Sequence, residues 1–108
     1  MPTAIIRSGI CGFTVRATAD CEDSAHVALQ IESDCPNYRK IAEALHEVDV
    51  FHELFGDRSE GQIWKVCARH SPHASCPVPV GLLKLVEVAA GLALPQTVSI
   101  EIRPSATA

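Results

Sequence analysis

Residues 11–35, CGFTVRATADCEDSAHVALQIESDC, decide the fold. Phe13, Val15, Ala17 and Ala19 alternate with Thr14, Arg16 and Thr18, and Val27, Leu29 and Ile31 alternate with Ala28, Gln30 and Glu32. A period of two marks strands with one buried face, so the two runs form a hairpin around the turn DCEDSA. Centring the turn near Asp23 sets Ala17 opposite Leu29, Val15 opposite Ile31 and Cys11 opposite Cys35. A slip by an even number of residues changes these partners and keeps the faces. The hairpin thus carries Cys11 and Cys35 to one end of the sheet and Cys21 to the other.

Working outward, DCPNYRKIAEALHEV predicts a helix. Pro36 suits its first position, where the missing N–H has no partner in any case. Tyr38, Ile41, Leu45 and Val48 recur at helical spacing, and Cys35 falls at the N-cap. DVFHELF predicts a second short helix and GDRSEGQ a polar loop. SCPVPVGLLKLVEVAAGL predicts the last helix, with Pro77 and Pro79 at or before its first turn and Pro95 as its stop. Lys84, Glu87 and Gly91 make a narrow polar stripe, so the rest of this helix is expected to be buried. TVSIEI then reads as a strand with Val98, Ile100 and Ile102 inward. TAIIRS is a further strand, or the start of one long strand bent through Gly9 and Gly12. The fold class is α+β: a mainly antiparallel sheet, made of a long N-terminal hairpin and a C-terminal strand, with two to three helices on one face. The 108 residues suffice for one such domain, with residues 104–108 expected to fray.

Composition narrows the partners. The net charge is −4, and no basic or aromatic-rich basic patch is present. Binding to nucleic acid needs clustered Lys and Arg, so none is expected. MPTAIIRSGICGF has no basic region followed by a long apolar run, and VPVGLLKLVEVAAGLALP is broken by Lys84 and Glu87. A cytoplasmic protein with no membrane partner is the expectation, while a protein partner and the oligomeric state stay open. Glycine-rich phosphate loop, nucleophile elbow and metalloprotease His motif are all missing, so the sequence gives no support for an enzyme. His26, His46 and His52 lack metal spacing, and Trp64 reads as a core or shell aromatic.

The five cysteines are Cys11, Cys21, Cys35, Cys67 and Cys76. An odd number without a secretory signal points to metal or thiol chemistry before disulfides. SDCP and ASCP each put a cysteine where a helix begins, and the free N–H groups and partial positive charge there favour thiolate. CARHSPHASCP, residues 67–77, repeats Cys67, His70, His73 and Cys76 at every third position. On one continuous helix those positions would drift by roughly 60° per step, and Pro72 disfavours such a helix. A short turn with Ser71 as cap and Pro72 first fits better, delivering Cys76, and with it Cys67 or one His, to a helix start.

Cys11 in GICGF, Cys35 in SDCPNYRKIAEAL and Cys76 in SCPVPVGLLKLVEVA together resemble the three-cysteine arrangement of NifU/IscU-type iron–sulfur scaffolds. They are also similar to the cysteine-rich terminal domain of adenosylcobalamin-dependent ribonucleotide reductases. The whole chain resembles a family of small uncharacterised prokaryotic proteins that carry GICGF, SDCP and CPVP. The scaffold resemblance implies a thiolate pocket of Cys11, Cys35 and Cys76. Cys67, His70 or His73 would complete the shell around zinc or an iron–sulfur cluster. Two other readings stand beside it. One is a metal-free thiol or persulfide carrier or redox protein, and the other is a structural or interaction domain with buried cysteines.

Overall fold

A computed structural model describes residues 1–71 and 73–105. The expected turn start at Pro72 and the fraying of residues 106–108 lie outside the described residues. The chain runs β1 (Thr3–Arg7), β2 (Thr14–Asp20), β3 (His26–Ser33), α1 (Pro36–Ala44), β4 (Glu47–Asp49) and α2 (Val50–Leu54). A 3₁₀ turn (Arg58–Glu60), α3 (Gln62–His70) and α4 (Val78–Ala89) follow. The four strands form one antiparallel sheet in the order β1-β2-β3-β4, and the helices pack on one face, so the chain has the α+β class read from its alternation.

The central hairpin forms with the anticipated faces and a register shifted by two residues: Ala17 pairs with Ile31, Ala19 with Leu29 and Val15 with Ser33. Val15, Ala17 and Ala19 of β2 and Val27, Leu29 and Ile31 of β3 all point into the core. Asp23 fixes the shift. Its Oδ1 accepts from the backbone N–H of Ala25 and of His26, and Oδ2 lies 3.0 Å from His26 Nδ1. Hydrogen bonding to the His26 side chain, then to these amides, holds the Asp23 carboxyl well below the usual carboxylate range. The turn therefore centres on Ser24, whose φ is 63°. At the other end, GICG is a hairpin tip between β1 and β2. Gly12 N–H donates to Gly9 O at 2.9 Å, and both glycines have positive φ, at 85° and 75°.

Three local expectations are corrected. α1 ends at Ala44 rather than running through Val48, because Val48 pairs with Val27 as part of β4 and Leu29 N–H donates to His46 O at 2.7 Å. The ladder on the open side of β3 outweighs helical spacing there. α4 ends before Pro95: Gly91, at φ 77°, lets Leu92 N–H reach Glu87 O and Gly91 N–H reach Val88 O, a Schellman closure. Residues 97–102 form no strand in this chain, and Val98, Ile100 and Ile102 are exposed rather than inward.

The helical layer holds the rest of the core. Tyr38 and Ile41 of α1, Ile63 and Cys67 of α3, and Val78, Leu82, Leu85 and Val86 of α4 are buried against the sheet. Gly81 lets α4 sit on β1, since a Cβ there would lie 2.5 Å from Ile6 Cδ1 and 2.7 Å from its Cγ1. Among the described residues one charged side chain is buried, Glu53, at 4% exposure. Its Oε2 accepts from Gln62 N–H at 2.7 Å and its Oε1 from Ile63 N–H at 2.8 Å. Glu53 thus caps α3 from outside the helix, at an N-terminus whose own N-cap is Gly61, with no side chain to offer. Replacing Glu53 with Ala leaves two buried amide donors unsatisfied, and a loss of roughly 2–4 kcal/mol is expected in urea unfolding. Glu53→Gln, which keeps one neutral acceptor, is expected to lose about half as much.

Candidate functional site

Three elements converge on one hydroxyl. The first is α1, whose start is fixed by the SDCP motif. Ser33 Oγ donates to Thr14 O, Asp34 Oδ1 accepts from Thr14 N–H, and Cys35 N–H donates to Ser33 Oγ. These bonds tie the end of β3 to the start of β2. They set Cys35 as the buried N-cap and turn Tyr38 into the core. The second element is α3, whose capped start carries Cys67 inward two turns later, at 1% exposure. The third is the segment before α4, which brings in Cys76, half-buried, with its N–H donating to His73 O at 3.3 Å.

Tyr38 Oη lies 3.1 Å from Cys76 Sγ, and the buried Cys67 thiol is near enough to act on the same group electrostatically. Ser71, just past the end of α3, adds a hydroxyl contact to it. A buried tyrosine needs a partner for its O–H, and here the Cys76 thiol is one. Burial pushes the Cys67 thiol up to about 12. The charge on Cys76 adds to that, Tyr38's hydrogen bond opposes it, and the carboxylate of Glu53 adds a last upward push. Tyr38 is likewise held above its ordinary value, first by burial and then by its bond to Cys76. At neutral pH the site therefore presents a protonated, enclosed Cys67 and a reachable Cys76 whose sulfur faces a phenolic donor.

The sequence-derived ligands scatter around this point. Cys11 stands in solvent at the β1–β2 tip, whereas Cys35 is enclosed at the start of α1. His73 is exposed, its N–H directed at Ser71 Oγ, and His70 is half-buried at the end of α3. Cys67 and Cys76 come together; among the described residues, no group of three or more His, Cys, Asp or Glu side chains is placed to hold a metal ion. All five cysteines are free thiols. Tyr38, Ser71 and Glu53 are the participants that residue type did not flag. The hydroxyl of Tyr38, sitting at a core position of α1, was the available signal.

A family model matches residues 2–102, nearly the whole chain. The chain belongs to DUF6951, a family of unknown function. No curated protein and no solved structure matches it. The DUF6951 match takes in GICGF, SDCP and CPVP, and with them every element that builds the Tyr38 site. Among the described residues, no helix is long and apolar enough to cross a membrane.

The raised Cys67 value has a consequence for stability. Unfolded, this thiol ionises near 9.0; folded, it does so near 12. Its contribution is complete below the lower value and is lost as pH rises through the window, because the unfolded chain releases the proton first. Urea unfolding is expected to show about 2 kcal/mol of stability lost through this group between pH 8 and pH 10.5. Cys67→Ala should flatten that part of the profile while lowering the neutral-pH baseline.

Proposed function

We propose that this protein is a reversible thiol redox protein, with Cys76 as the entry thiol and Cys67 as its buried partner. The observation that carries the reading is the hydroxyl of Tyr38, 3.1 Å from Cys76 Sγ, in the core cluster that also buries Cys67. A donor at that position stabilises negative charge on Cys76 sulfur, and thiolate is the reactive form. Cys76 attacks an external disulfide, so that one mixed disulfide forms and one external thiolate leaves. Cys67 then gives up its proton to solvent and attacks Cys76 Sγ, and the second external thiolate departs. Two electrons pass from the cysteine pair to the external disulfide, and an intramolecular disulfide remains. A reducing cytoplasm, which keeps all five thiols free at rest, belongs to the same proposal.

The high proton affinity of Cys67 makes the second step the slow one. Its thiolate fraction, and with it the rate of ring closure, rises about tenfold per pH unit below pH 12. The test uses a Cys11→Ser/Cys21→Ser background, treated with glutathione disulfide and followed by intact mass and peptide mapping. A glutathione adduct on Cys76 is expected to accumulate near neutral pH and to collapse into the Cys67–Cys76 disulfide as pH is raised. Tyr38→Phe should slow adduct formation several-fold. An inert Cys76, or a rate untouched by Tyr38→Phe, would sink the proposal. A metal or cluster reading draws on the same two soft donors and needs ligands beyond them. Stoichiometric zinc or iron in anaerobically prepared protein would favour that reading instead.

A further inference from the structure

The segment after α4 is built like a strand, and among the described residues it joins no ladder. Between Pro95 and Pro104, residues 97–102 alternate Val98, Ile100 and Ile102 with Thr97, Ser99 and Glu101. Two prolines, which cannot donate to a ladder, bracket one strand's length of chain. Yet residues 94–103 are neither helix nor strand, and Val98, Ile100 and Ile102 are 58%, 78% and 89% exposed. Alternation of this kind makes sense only where one face is covered. With this arm the molecule measures 47 × 29 × 26 Å.

The complementary feature is the outer edge of β1, which pairs with β2 on one side only. Ala19 N–H donates to Pro2 O and Ser8 N–H to Phe13 O, so the even-numbered residues of β1 face β2. The backbone N–H and C=O groups of Thr3, Ile5 and Arg7 therefore point out along the free edge. Such edges are normally blunted by charge, proline or a bulge, and here only the terminal Arg7 is charged. The core face beside this edge is also incomplete. Ala4 and Ile6 are half-buried, while their partners Ala17 and Val15 are fully covered. An open hollow of about 490 Å³ lies between β1 and α4, lined by Ala4, Ile6, Gly81, Leu85 and Val88 and by the base of the arm, Pro95–Val98.

We propose that two copies of this chain associate by exchanging this arm. Residues 97–102 of each copy add as a fifth strand to the free edge of β1 in the other. Val98, Ile100 and Ile102 then lie over Ala4 and Ile6 and fill the hollow beside α4. Donor strand and acceptor edge belong to the same chain, so one two-fold exchange pairs both in a closed dimer, and the new sheet edge is a short strand bracketed by Pro95 and Pro104. The family match runs through residue 102, which places the arm within the sequence common to the family.

Sedimentation equilibrium of the full chain at micromolar to 0.2 mM concentrations tests the exchange. The wild type is expected at twice the 11.6 kDa chain mass. The triple variant Val98→Asp/Ile100→Asp/Ile102→Asp should be a monomer that keeps the helical far-UV signal and a cooperative unfolding transition, because the arm lies outside the core. Ile5→Pro removes an outward donor of β1 and leaves the β2 ladder intact, so it should also be a monomer. A wild type that stays monomeric throughout, including one whose arm closes on its own β1, overturns the proposal. So does a dimer that survives either variant.

Discussion

The carboxylate of Glu53 is the constraint on which the helical layer turns. α3 begins at Gly61, which has no side chain to satisfy its first amides, and Glu53 supplies both oxygens from the preceding helix. Burying a carboxylate is costly unless its lone pairs are met, and here two short bonds to a helix N-terminus meet them. Gly61 is needed on the other side, because a Cβ there would come within 3.1 Å of Glu53 Oε2. The short α2 is thereby locked to α3, and the angle at which α3 crosses α1 decides where Cys67 meets Tyr38. Burial is what chiefly keeps the Cys67 thiol protonated, and the Glu53 charge adds a small push in the same direction.

How much of this was legible follows from the length scale of each signal. The β2–β3 hairpin was readable because alternation repeats over seven and eight residues, and a two-residue slip leaves every apolar side chain on its face. The start of α1 was readable because Pro36 fits only a first turn. β4 was not, since three residues carry no period and its pairing is chosen by the edge of β3. α3 was obscured for a related reason. Its Ile63, Val66 and Cys67 do sit at helical spacing, but the run is nine residues long and its cap comes from Glu53, eight positions before Gly61. A cap delivered from another element leaves no mark in the local sequence.

The candidate site shows the same division between chemistry and geometry. Cysteine type singled out Cys67 and Cys76, and the prolines placed Cys76 before a helix. Which residues would surround them was not readable from their spacing, because the partner comes from α1, 38 positions before Cys76. Tyr38 looked like one more apolar position of an amphipathic helix, and on that helix its ring is indeed core. Its hydroxyl makes the difference, since a phenol cannot be buried next to aliphatic side chains without a hydrogen-bond partner. In a core made mostly of Val, Leu, Ile and Ala, the Cys76 thiol at its margin supplies that need.

α4 joins the two proposed activities of the chain. Cys76 enters at its N-terminal end and the exposed arm leaves from its C-terminal end, and a helix of 12 residues keeps them about 18 Å apart. Gly81 seats this helix against Ile6 of β1, on the strand whose free edge the arm would extend. A strand added there would pack its apolar face against Leu85 and Val88, and so would press α4 onto the sheet from the side now open. The first turn of α4 is already anchored by buried Val78 and Leu82. Added support at the far end would therefore act along a rigid element, and the loop holding Cys76 would feel it as a firmer helix start. The proposed oxidation at the thiols and the proposed association at the arm would thus meet on one helix.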